Sequence, residues 1–188
     1  MQAVELTKHN KMKKPQKKCY VLIVSRYFAK DHKDAGLPTF FVEKICKAVG
    51  KDYPEPLNLK FEIKPKRHTV RLNYELWAKR FEEIKQGKAY LSLRYWLDAP
   101  YKSPQHEFLR LEAKDGIGVQ KLSFPLGTFI DDVDSSVRLV NIAENDGLDF
   151  ETFKDWFGDK LTANNGNEDL AIIHFTNFRY ENSKTATN

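Results

Sequence analysis

Between Asn73 and Trp96 the spacing of apolar side chains switches from a helical period to a strand period across a single glycine, Gly87. Tyr74, Trp77, Phe81 and Ile84 share one face of a helix, which Asn73 caps and Gly87 ends from the C′ position. From Lys88 onward Ala89, Leu91, Leu93 and Tyr95 alternate with Tyr90, Ser92, Arg94 and Trp96, the pattern of a strand of about nine residues. Both signals in adjacent segments place the chain in the α+β class.

The remaining elements follow from the same reasoning. Cys19 to Ser25 is a β-branched apolar run, hence a buried strand, and after the turn Asp34 to Pro38 Thr39 caps a short helix carrying Phe40, Phe41, Lys44 and Ile45. A proline-marked loop over 49–60 leads to a short strand at Phe61 to Ile63. Further strands are predicted at Glu107 to Leu111, Val119 to Phe124, Val137 to Ile142 and Leu170 to Thr176. A last helix, Phe150 to Phe157, is capped by Asp149 and stopped by Gly158. Strands at such short intervals, with short helices beside them, predict a small mixed β-barrel.

A chain of 188 residues suits one domain, predicted over 19–182 behind a disordered basic arm at 1–18. That arm holds six lysines against Glu5, which accounts for the whole formal charge of +5, so the other residues sum to zero. The overall charge is therefore no argument for a basic folded surface. Within the body, residues 60–94 carry ten Lys/Arg against four Asp/Glu, and 131–160 carry three against nine. Cys19 and Cys46 both lie in apolar runs and read as core thiols. No segment has the length and apolarity of a membrane span or the pattern of a cleaved leader, so the expected setting is soluble and cytoplasmic, with no membrane partner.

The chemistry concentrates in Lys66-Arg67-His68-Thr69-Val70-Arg71. On a strand Arg67, Thr69 and Arg71 share one side, so two guanidiniums are expected to flank one hydroxyl, a set suited to phosphate, carboxylate or a polarised carbonyl. Lys66 has the opposite parity and joins them only if the backbone turns near Pro65. His68 falls on the face of Val70 and Leu72 and reads as a core residue. Trp96 and Tyr101, at a strand end and in a Pro-bounded loop, are expected at a pocket rim where they can stack on bases. The histidines lack metal-ligand spacing with cysteines or carboxylates, and no metal or cofactor is predicted.

The ordered set of Ala35-Gly36-Leu37-Pro38-Thr39-Phe40, Glu43-Lys44-Ile45, Lys66-x-His68-Thr69-x-Arg71, Ile142-Ala143-Glu144-Asn145-Asp146-Gly147-Leu148 and Ile172-Ile173-His174-Phe175-Thr176 with Arg179-Tyr180 resembles the ASCH domain family. The resemblance covers about residues 20–180 and implies a PUA-like barrel with insertions near 46–65 and 97–106. It implies binding of RNA or a modified nucleotide or nucleoside. For one branch it also implies hydrolysis of the acetyl amide of 4-acetylcytidine by a lysine, a threonine and a glutamate. Lys66 and Thr69 match the first two, and Asp146 stands where that branch has the glutamate. The expected catalytic set is thus Lys66, Thr69 and Asp146, and the expected ligand contacts are Arg67, Arg71, Trp96 and Tyr101. Three readings stay open: a binding domain, an amidohydrolase, and a protein-interaction module that meets its partner through the insertions.

Overall fold

The computed structural model describes residues 16–53, 61–125, 127–161 and 169–181. In chain order it runs β1 (Lys18–Ile23), α1 (Phe41–Val49), β2 (His68–Leu72), α2 (Tyr74–Lys85), β3 (Ala89–Trp96), β4 (Gln105–Leu111), β5 (Gly118–Ser123), β6 (Phe129–Ile130), β7 (Val133–Asp134), α3 (Leu139–Asn145), α4 (Phe150–Phe157) and β8 (Leu170–His174). The architecture is α+β. The first fifteen residues of the basic arm, part of the 46–65 insertion and the predicted end of the domain lie outside the described residues.

The ladders of the described strands divide into two sheets. One has the order β1-β3-β4, with β1 parallel to β3 and β4 antiparallel, and the other the order β2-β8-β5-β6-β7, antiparallel throughout. Ala89, Leu91, Leu93 and Tyr95 are buried on β3, as their alternation requires, whereas β8 is buried at every position because it lies between β2 and β5 with both faces covered. Trp77, Phe81 and Ile84 turn the apolar stripe of α2 into the core. Asn73 caps that helix by accepting from the Leu76 amide, Gly87 follows it at φ +72°, and Asp149 caps α4 through the Thr152 amide.

Several expectations are corrected. Val137 to Ile142 is not a strand: α3 begins at Leu139, and Ile142 and Ala143 are its buried face. The β-branched composition yields there to packing against the core, in which an apolar pair on one helical face is buried as readily as a strand. Phe61 to Ile63 forms no ladder, although Ile63 is buried. β1 begins at Lys18, and Cys19 is exposed near the start of that edge strand, while Cys46 is buried and its thiol pushed up to about 11 by desolvation. The hairpin β6–β7 has two-residue strands, too short for an alternation signal, and its turn residues Asp131 and Asp132 both adopt positive φ. Among the described residues no helix is long and apolar enough to cross a membrane.

Candidate functional site

The segment before β2 decides the site. The Lys66 amide donates to the Lys44 carbonyl at 2.9 Å and the Arg67 amide to the Asn145 carbonyl at 2.8 Å, so this stretch is pinned between α1 and the end of α3, with the Arg67 carbonyl accepting the Phe175 amide at 3.0 Å where the β2–β8 pairing begins. Lys66 is thereby turned inward and is 1% exposed, while Arg67 points to the surface. Gly147 makes the approach feasible: its φ is +78°, and a Cβ there would lie 3.1 Å from Lys66 Cβ and 3.2 Å from Lys44 Cδ.

Asp146 closes the gap from the other side as the C-cap of α3. Its Oδ2 lies 3.0 Å from Lys66 Nζ, which also donates to the Asp146 main-chain carbonyl. Its Oδ1 accepts the Val70 amide at 2.8 Å. β2 is an edge strand, so this amide has no neighbouring strand to serve, and the carboxylate covers it. The Lys66 ammonium also sits 4.3 Å from the centroid of the Phe41 ring, an apolar surface with a favourable face.

On the opposite face of β2, Arg71 Nη1 donates to the Thr69 hydroxyl at 2.6 Å and to the Val70 carbonyl at 2.8 Å. Its Nη2 donates to the Ile23 carbonyl at 3.1 Å and so ties the edge of the five-stranded sheet to the end of β1 in the other sheet. Thr69 is buried beneath this guanidinium.

The two halves are linked electrostatically. Burial pushes the Lys66 ammonium down to about 8, with Asp146 opposing the shift and Arg71 and Lys44 adding to it. Burial likewise lowers Arg71 and Lys44, each countered by Asp146. For Asp146 burial acts upward, but Lys66 and His68 outweigh it and hold the carboxyl below its ordinary range. Lys44 donates to the Gly147 carbonyl at 2.6 Å. Three cations thus share the field of the Asp146 carboxylate, with Asp149 and Glu43 acting on Lys44 in addition.

A cavity of about 400 Å³ is lined by the segment from Ile23 to Lys30 and by Trp96, Asp98, Pro100 and Tyr101, and Lys44, Lys66, Thr69, Arg71 and Asp146 are not among its lining residues. Ile23 belongs to both, since it lines the cavity and its carbonyl receives Arg71. Trp96 and Tyr101 hold their ring centroids 5.4 Å apart, and Tyr101 is 90% exposed. On the cavity wall Arg26 lies over the Tyr95 ring at 5.0 Å.

Of the residues singled out in the sequence, Lys66 meets Asp146, Thr69 meets Arg71, and Trp96 meets Tyr101. Arg67 is the correction. It lies before β2, stacks over the Phe178 ring at 5.3 Å and borders a separate depression with Lys47 and Pro65, so only one guanidinium contacts the Thr69 hydroxyl. Lys44, missed as a site residue, carries a legible signal: a cation among the apolar positions of α1. Tyr180 carries no signal beyond its place in the Arg179-Tyr180 motif, because its approach to His68 depends on how the chain returns after β8. No three of the described His, Cys, Asp and Glu residues are arranged to hold a metal ion. Comparison with protein-family models, with curated proteins and with solved structures gives no match to this chain.

Proposed function

We propose that this protein binds RNA or a modified nucleotide as an ASCH-type domain of PUA-like fold, seating an anionic group near Lys44, Lys66 and Arg71 and stacking a base on Trp96 and Tyr101. The observation that carries this reading is the excess of positive charge around Asp146, where Lys66 is buried and Lys44 and Arg71 are half-buried. Charge taken out of water without an equal countercharge is costly, and a phosphate supplies the missing negative charge together with acceptors for the guanidinium fork. The tie from Arg71 to Ile23 supports a barrel-like arrangement, since it brings the edge of one sheet to the end of the other. Titration of a fluorescent single-stranded RNA tests the reading. Arg71→Ala is expected to abolish measurable binding, and unchanged affinity in that variant contradicts it.

A second reading has its own support. A lysine lowered to about 8 by burial spends a sizeable fraction of its time neutral near physiological pH, which a general base requires. In this reading the Thr69 hydroxyl attacks the amide carbonyl of an acylated cytidine as its proton passes to neutral Lys66, and Arg71 stabilises the oxyanion. The carbon–nitrogen bond then breaks as that proton is returned, through Asp146, to the leaving nitrogen, and water releases the acid from Thr69. Acetate release from 4-acetylcytidine, lost in Thr69→Ala, is the expected result. No release at high protein concentration removes this reading and leaves the binding function standing.

A further inference from the structure

His68 is fully buried on β2, on the face opposite Thr69 and Arg71. Its Nε2 lies 2.8 Å from the Tyr180 hydroxyl, while its Nδ1 has no hydrogen-bond partner and faces Asp146 Oδ1 at 3.7 Å, an electrostatic approach beyond hydrogen-bond length. The tautomer of this ring decides what faces the carboxylate: a proton on Nδ1 presents a donor, and a bare Nδ1 presents a lone pair to a negative charge.

Tyr180 decides the tautomer. Its hydroxyl has one hydrogen and two acceptors within reach, His68 Nε2 at 2.8 Å and the Asn141 carbonyl at 3.3 Å, while the Asn145 amide donates to the same oxygen at 3.1 Å. The 2.8 Å contact is at the ordinary length for an O–H donor and the 3.3 Å contact is beyond it, so the hydrogen goes to His68. The Tyr180 main chain is fixed in turn by Gln120, whose Oε1 accepts the Tyr180 amide at 2.8 Å and whose Nε2 donates to the Tyr180 carbonyl at 3.1 Å. With Nε2 accepting, a neutral His68 carries its proton on Nδ1. The groups facing the ring are Asp146, Lys66, Arg67, Tyr180 and His174, the last with its ring centroid 5.5 Å away. Burial and the two cations oppose a second proton, and Asp146 alone favours it.

We infer that His68 is a positioning residue for Asp146: the Tyr180 hydroxyl fixes the ring so that a neutral N–H dipole faces the carboxylate that holds Lys66. Val70 and His68 then keep the carboxylate ionised and stationary when a ligand draws Lys66 away. This inference rests on the reading of Lys66 and Asp146 as part of the ligand site.

Nitrogen-15 NMR of histidine-labelled protein tests it directly. His68 is expected to show a protonated Nδ1 and a bare Nε2, and Tyr180→Phe is expected to shift the ring toward the Nε2–H form. An Nε2–H ring in the unaltered protein overturns the inference. Affinity for cytidine 5′-monophosphate gives the second readout. His68→Asn, whose amide can present an N–H where Nδ1 stood, is expected to retain binding, and His68→Leu to weaken it about tenfold, the scale of one buried polar contact. Equal affinity in all three proteins overturns the positioning role and leaves the pocket reading intact. If the unaltered protein does not bind the nucleotide, the pocket reading fails instead. The carbon-13 titration of Lys66 then decides for His68: a midpoint that differs in His68→Leu upholds the role, and an identical one overturns it.

Discussion

Lys66 and Asp146, eighty positions apart in the chain, meet as an ion pair at 3.0 Å with side chains 2% and 4% exposed. Such a pair adds little net stability over an apolar one, because desolvation of both groups offsets their attraction. Removing one partner is different, since the other is left charged in the core. Asp146→Ala is expected to destabilise the protein by about 3–5 kcal/mol, and Lys66→Met to do so less, because an apolar group can lie against Phe41. Urea unfolding of the two variants measures both.

Acid is expected to weaken the fold in two stages. His68 and His174 are both held below the ordinary histidine value, chiefly by burial. The unfolded chain therefore takes up their protons first, so stability that is full above about pH 6.5 declines as pH falls below it. Asp146 is also held low, and its contribution is present above the ordinary aspartate range and lost as pH falls below about 4. Unfolding midpoints at pH 2.5, 4, 5.5 and 7 check the sequence of losses, and His174→Phe should flatten the slope between the upper two.

Ligand binding is expected to be linked to proton uptake. Desolvation, with Arg71 and Lys44 in addition, lowers Lys66 to about 8, so a bound anion restores negative charge and raises it. Calorimetry at pH 8 in two buffers of different ionisation enthalpy should reveal uptake of part of a proton for each phosphate-bearing ligand bound. At pH 6, where Lys66 is already protonated, the uptake should vanish.

Tyr101 is 90% exposed and its ring meets that of Trp96 at the surface, so its loss costs the fold little. Tyr101→Ala is expected to leave the unfolding midpoint nearly unchanged while weakening single-stranded RNA by about 1–3 kcal/mol, the usual scale for one stacked base. Fluorescence anisotropy beside a melting curve separates the two effects.

Much of the secondary structure could be read from the sequence where a long periodic segment met a clear cap, as in Asn73 to Trp96 and Asp149 to Phe157. It was misread where composition and packing disagree: the β-branched Val137 to Ile142 run forms part of a helix because Ile142 and Ala143 share a buried helical face. Strand parity puts Thr69 and Arg71 together, as their hydrogen bond requires, but its placing of Arg67 in the same row fails because the Arg67 amide is held by the Asn145 carbonyl at the end of α3. The pairing of Lys66 with Asp146 came from the family resemblance, not from local pattern. No periodicity could supply it, since it depends on the end of α3 covering the free edge of β2.

Whether the positive charge around Asp146 awaits an anionic ligand is decided by a comparison of cytidine 5′-monophosphate with cytidine by isothermal calorimetry at low salt. The nucleotide is expected to bind more tightly than the nucleoside, and Arg71→Ala to erase the difference. Equal affinity for the two ligands, or an undiminished preference for the phosphate in Arg71→Ala, contradicts that expectation.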